Sequence, residues 1–149
     1  MARVLKADFL IDVARNADDV YRLISNHEHD VRWQSAVVDV TKLSSGPVRA
    51  GSRFRHTLRL LGARLEAEIE IVETRPSTFH AFAIVGGPFA FDTRVSFEPS
   101  PVGTRVRTEV EGHAHGAARL AAIALSRARR GEIVRDLATL KQLMEAGEL

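Results

Sequence analysis

From Val37 to Glu111 the chain alternates apolar and polar residues in segment after segment, and this period of two constrains the fold more than any other feature. Across Ser52–Leu60, Phe54, His56, Leu58 and Leu60 fall on one side, with Arg53, Arg55, Thr57 and Arg59 on the other. A tight turn is predicted at Leu61-Gly62, after which Leu65, Ala67, Ile69 and Ile71 oppose Glu66, Glu68 and Glu70. The arginine face of one strand can then lie beside the glutamate face of the next, where each cross-strand pair adds about 0.2–1 kcal/mol. Thr78–Val85 aligns His80, Phe82 and Ile84, and Gly86-Gly87-Pro88 makes a turn. Phe89–Glu98 gathers Phe89, Phe91, Thr93, Val95 and Phe97 against Asp92, Arg94 and Glu98. Beyond Pro99–Gly103, Val106, Thr108 and Val110 oppose Arg105, Arg107, Glu109 and Glu111. Val37–Leu43 opens the series and is closed by the turn-forming Ser44-Ser45-Gly46-Pro47. One apolar and one wet face recur throughout, which predicts an antiparallel sheet covered on a single side.

The N-terminus adds further elements, and the cover must be the C-terminus. Val4–Val13 reads as a further strand with Phe9, Ile11 and Val13 on one face. Asn16 is placed to cap a helix whose first turn carries Asp18 and Asp19, and Val20, Leu23 and Ile24 follow at helical spacing. This helix is expected to end near Asn26, with a short second one reaching about Trp33. Gly116 to about Ala146 has helical composition, and ~30 residues would span ~45 Å. Ile133, Leu137, Leu140 and Met144 form its apolar stripe after Gly131, whereas Leu120, Ala121, Ala124, Leu125 and Ala128 make the better stripe before it. A bend or irregularity at Gly131 would reconcile the two. A chain of 149 residues fits one domain, 1–149, of α+β class.

Composition narrows the chemistry. There are no cysteines, which removes disulfides, thiolate nucleophiles and cysteine zinc sites together. With 21 basic and 19 acidic residues the net charge of +2 gives no case for nucleic acid. No apolar run approaches the ~20 residues that cross a bilayer, so stable membrane insertion is not expected. The opening MARVLKADFL lacks the pattern of a signal peptide, and a soluble cytoplasmic protein is the expectation. No Gly-x-Ser-x-Gly elbow, phosphate-cradling glycine loop or dinucleotide fingerprint occurs.

The order strand, two short helices, six strands, long helix resembles the START-like superfamily, also called SRPBCC, in its polyketide cyclase/dehydrase and lipid-transport branch. The resemblance covers almost the whole chain. It is carried by FLIDVARNADDVYRLISN, Trp33, GPVRAGSRF, PFAFDTRVSFEP continuing into GTRVRTEVE, and RDLATLKQLME. It implies a helix-grip fold, a curved sheet of about seven strands around the C-terminal helix, with an apolar or aromatic ligand held between them. The proline usual in the family near Asn16 is absent, and asparagine serves the same helix start.

Residues on the inward face are the candidate ligand contacts: Phe54, His56, Leu58, Ile69, Phe82, Phe91, Thr93, Val95 and Thr108. Trp33 joins them as a cavity wall implied by the resemblance, and Arg130 lies on the backward extension of the buried helical stripe. His56 is the candidate acid/base, since imidazole titrates near working pH; a buried or rim histidine without chemistry is the alternative. His80 lies near a strand start and is expected at the rim. Arg130 could bind a carboxylate or enolate, or belong to a solvated face with Arg127, Arg129 and Arg135. The pairs His27-Glu28-His29-Asp30 and His113-Ala114-His115 offer metal-ligand types but no recognised spacing, and neither a metal nor a cofactor is expected. Three functions stay open: a carrier or sensor of a lipid, quinone or polyketide-like molecule, a cyclase or dehydratase using His56, and an interaction domain with a vestigial cavity. The partner is a small apolar ligand, and the protein is a monomer or homodimer.

Overall fold

The computed structural model describes the backbone of residues 2–60, 62–86 and 89–149, with side chains described at all of these except 60, 85, 86, 89, 121, 124 and 125. Its elements follow the predicted order: β1 (Ala2–Val13), α1 (Ala17–Ser25), a single 3₁₀ turn (His27–His29), α2 (Asp30–Trp33), β2 (Val37–Lys42), β3 (Arg53–Leu60), β4 (Ala63–Arg75), β5 (Phe79–Gly86), β6 (Phe89–Ser100), β7 (Gly103–Ala114) and α3 (Ala118–Glu145). The turns predicted at Leu61-Gly62 and Gly86-Gly87-Pro88, the Phe89 side chain, and Ala121, Ala124 and Leu125 of the helical stripe lie wholly or partly outside the described residues.

The strands form one antiparallel sheet in the order β1-β7-β6-β5-β4-β3-β2. Every strand from β2 to β7 pairs with its sequence neighbour, and β1 closes the other side against β7. The charge pattern predicted for the β3–β4 hairpin is present: Arg55 lies opposite Glu68, and Arg53 reaches diagonally to Glu68 at 2.8 Å. These pairs are half-exposed, so their contribution is small.

The sheet curves around α3, and the main core lies where α1 and α3 meet it. Val13, Val20, Ile24, Val95, Phe97, Val106, Leu137, Leu140 and Met144 pack together there. A second cluster, Phe54, Ile69 and Ile71, sits further along the sheet, and Phe82 packs against both. Arg15 fastens the chain end, donating from Nη1 to the carbonyls of Met144 and Leu149 at 2.9 and 3.0 Å.

The helix α3 departs from the two-stripe expectation. It runs without a break through Gly131, and its described buried residues Ala122, Ser126, Asp136, Leu137, Leu140 and Met144 fall on one face, with Ile133 half-buried among them. Leu120, offered above as buried, is 80% exposed, and Ala128 is exposed as well. The misreading came from Ser126, whose polarity argued against the true stripe. Its hydroxyl donates to the Ala122 carbonyl at 2.6 Å, so the serine is satisfied within its own helix and can be buried.

Gly131 therefore occupies a regular helical position, where a methyl group would meet, among the described residues, only the far end of the Arg135 side chain, at 3.5 Å. Gly131→Ala is expected to stabilise the protein by about 0.5–1 kcal/mol, because alanine loses less backbone entropy in a helix. Chemical denaturation of the two proteins reads this directly; an unchanged or lowered midpoint would show that the helix needs glycine here.

Candidate functional site

The site begins at the join between α1 and the 3₁₀ turn. Asn16 caps α1 by accepting from the Asp19 amide at 2.9 Å, and Asn26 repeats the device for the 3₁₀ turn by accepting from the Glu28 amide at 3.2 Å. This second cap lets the chain change direction within one residue. Spaced three apart, His27 and Asp30 then share one face and turn inward, whereas Glu28 is exposed and His29 half-exposed. His27 is 2% exposed and Asp30 fully buried.

Two strands bring further histidines to the same place. His56 of β3 is 3% exposed, and its Nε2 lies 3.0 Å from Asp30 Oδ2, although off the line of a good hydrogen bond. His80 of β5 is fully buried. The rim position expected for it is thus corrected: the 3₁₀ turn and Tyr21 of α1 cover the start of β5. The Nε2 atoms of His27 and His80 are 3.0 Å apart, and His80 Nδ1 is 3.0 Å from the Thr74 hydroxyl, which is 2.5 Å from that of Tyr21.

Proton bookkeeping gives this chain a direction. Burial alone would raise the Asp30 pKa, but the attraction of His27 and His56 and the hydrogen bond from His27 outweigh it and hold the carboxyl below its ordinary value. Asp30 is therefore an acceptor only, and His27 Nδ1–H donates to its Oδ2 at 2.7 Å. Burial and the facing His27 push His80 down to about 3, so its ring is neutral at ordinary pH. With His27 neutral, His80 Nε2–H donates to His27, and Tyr21 donates to Thr74, which donates to His80 Nδ1. With His27 protonated, every one of these bonds from His27 to Tyr21 reverses. Both polarities satisfy the chain, and they differ by one proton.

Between this cluster, the sheet and α3 lies a cavity whose empty space, with the open solvent at its mouth included, is about 770 Å³. Ile24, Ile69, Phe82, Ile84, Phe91, Val95, Val110, Ile133 and Leu137 supply its apolar wall, with Trp33 at the end of α2. His27, Gln34, His56, Thr93, Thr108, Arg129 and Asp136 are the polar members. Asp136 also accepts from the Ser35 amide at 3.2 Å, tying α3 to the segment after α2.

Of the candidates named from sequence, Trp33, His56, Ile69, Phe82, Phe91, Thr93, Val95 and Thr108 line the cavity. Three do not. Phe54 is fully buried behind the wall against the His27 ring, with centroids 5.3 Å apart. Leu58 is half-buried and outside the lining. Arg130 is exposed, and its guanidinium donates to the Lys6 carbonyl at 3.2 Å. Its neighbour Arg129 takes the cavity position, paired with Glu132 at 2.6 Å, because one residue turns a helix by about 100°. The sequence reading missed His27, Asp30 and His80 as a group; the three-residue spacing of His27 and Asp30 was the available signal.

A family model described as polyketide cyclase / dehydrase and lipid transport matches residues 5–145. The chain belongs to this family. Solved structures agree on the fold. A START superfamily protein from Mycobacterium smegmatis is 12% identical, with TM-score 0.76 over 96% of this chain and 99% of that one. A protein from Thermus thermophilus is 17% identical, with TM-score 0.77 over 97% of this chain and 99% of the other. The di-domain ARO/CYC StfQ from the steffimycin biosynthetic pathway is 14% identical, with TM-score 0.78; the match covers 99% of this chain and 52% of that one. At these identities the likeness is one of fold. No curated protein matches the chain. Among the described residues, no helix is long and apolar enough to cross a membrane.

Proposed function

We propose that this protein binds a small apolar or aromatic molecule carrying an oxygen acceptor, of lipid, quinone or polyketide-like type, as a carrier or sensor. The observation that carries the reading is a cavity with apolar walls and a buried donor, Trp33 Nε1–H, that has no partner among the described residues. The lining matches the usual make-up of ligand sites, apolar walls with a few orienting polar groups. An indole N–H left without an acceptor is costly, and a ligand carbonyl or phenol oxygen would supply one. The family description, which includes lipid transport, supports the same class of ligand.

Trp33 is the one tryptophan in the chain, so its fluorescence reports ligand entry without a label. A naphthoquinone is expected to quench it saturably with one molecule per chain. Thr108→Phe, which projects a ring into the cavity, should weaken the effect at least tenfold. Native mass spectrometry followed by denaturing extraction identifies any molecule already retained. Absence of quenching, of a retained molecule and of thermal stabilisation across apolar compounds would sink the carrier reading and favour an interaction domain.

The position of His56 favours a second reading, a cyclase or dehydratase in which it moves a proton. Its ring lines the cavity with the Asp30 carboxylate behind it, an arrangement that can steady an imidazole acting as acid or base. Turnover of a polyketide-like substrate that is abolished by His56→Ala, with naphthoquinone binding retained, would establish that role.

A further inference from the structure

We propose that His27, Asp30 and His56 form a binding site for one divalent transition-metal ion, zinc being the best match, at the α2 end of the cavity. Their candidate ligand atoms lie within 4.8 Å of one another, and all three residues are buried. Two imidazoles and one carboxylate select borderline metals such as zinc over magnesium or calcium, which prefer oxygen ligands throughout.

A second observation sets this cluster apart from a self-contained hydrogen-bond network. Both imidazoles address the same carboxylate oxygen, Oδ2, at 2.7 and 3.0 Å. Asp30 Oδ1 and His56 Nε2 are left buried without a hydrogen-bond partner among the described residues. Buried polar atoms are nearly always paired, and each orphan is destabilising. A cation coordinated by Asp30 and His56 takes up lone pairs from both residues at once. It also supplies positive charge beside a carboxylate that has no access to water.

The surroundings fit an ion as well. Donors around a tetrahedral zinc at ordinary bond lengths stand about 3.3 Å apart, so the present contacts need to open by only about half an ångström. If His27 binds through Nδ1, its Nε2–H is free to donate to His80 Nε2, 3.0 Å away. His80 then donates from Nδ1 to Thr74, and Thr74 to Tyr21. Metal-bound histidines usually have such an outer partner, which fixes the ring and its tautomer. Because His27 and His56 both line the cavity, the remaining coordination position opens toward it, where water or a ligand oxygen could bind. The proposal is independent of which organic molecule the cavity holds. With metal bound, His56 is a ligand and no longer free to move a proton.

The test uses untagged full-length protein stripped with chelator. Zinc titration followed by calorimetry is expected to give one ion per chain with micromolar affinity or better, and a rise in melting temperature. Cobalt in its place should produce the visible absorption bands of a low-symmetry nitrogen–oxygen site. His80→Gln, which alters only the outer partner, should weaken zinc roughly 10–100-fold, and His56→Phe should weaken it further. Circular dichroism verifies that each variant is folded, and the wild-type cobalt spectrum decides the matter even where a variant is not. No zinc uptake by the wild type, no visible cobalt bands, or zinc affinity unchanged in folded His56→Phe would each overturn the proposal. Naphthoquinone quenching of Trp33 in the stripped protein reports the carrier reading separately, so the two can fail independently.

Discussion

Asp30→Ala is expected to lower the unfolding free energy of the metal-free protein by about 3–5 kcal/mol, the usual consequence of removing one member of a buried charged group. The carboxylate is fully buried and is the acceptor for His27 at 2.7 Å, with His56 at 3.0 Å. Its loss leaves two buried imidazoles facing a void. The damage spreads because the chain from Tyr21 through Thr74, His80 and His27 ends on this oxygen. Asp30→Asn keeps the shape and one acceptor, so it should cost less than alanine. Urea denaturation followed by circular dichroism measures both. A loss under about 1 kcal/mol for the alanine variant would mean that the cluster is stabilised by its packing, chiefly the His27 ring edge-on to Phe82 at 4.5 Å.

The cluster also explains why the fold was easier to read than the site. Strand alternation is a local signal, and it placed His56, Phe82, Phe91, Thr93, Val95 and Thr108 on the cavity face from parity alone. Parity cannot tell how far along a strand the cover extends. Phe54 shares the face of His56 but lies behind the wall, and Leu58 lies outside it. His80 was given its correct face and the wrong depth, because the covering residues come from α1 and the 3₁₀ turn, more than fifty positions earlier. On α3 the difficulty was rotational. Arg129 and Arg130 are adjacent in sequence, yet one lines the cavity and the other bonds the Lys6 carbonyl outside. His27 and Asp30 were noticed as ligand types but discounted because they fall in a connection. Only the Asn26 cap, which turns that connection inward, gives them a site.

Lowering the pH from 7.5 to 4.5 is expected to destabilise the metal-free wild type by about 2–3 kcal/mol more than His80→Gln. Burial and the neighbouring His27 push the His80 pKa down from 6.5 to about 3, with Asp30 restoring part of the shift. Between those values the unfolded chain binds a proton that the folded chain refuses. Stability therefore falls as pH drops below about 6.5, at about 1.4 kcal/mol per pH unit for one group. Asp30 acts in the same sense but lower down. Its folded pKa lies below 3.8, so the stability it contributes is present above that value and is lost only as pH falls through the folded one. The window from 6.5 to 4.5 therefore isolates His80 from Asp30. His27, Asp30, Thr74 and Tyr21 face the ring in both conditions, and glutamine at position 80 keeps a polar group among them without a proton to gain. Denaturation midpoints of the two proteins at both pH values give the comparison. Parallel losses within about 0.5 kcal/mol would show that His80 accepts its proton in the folded state, which requires His27 and Thr74 to rearrange around it.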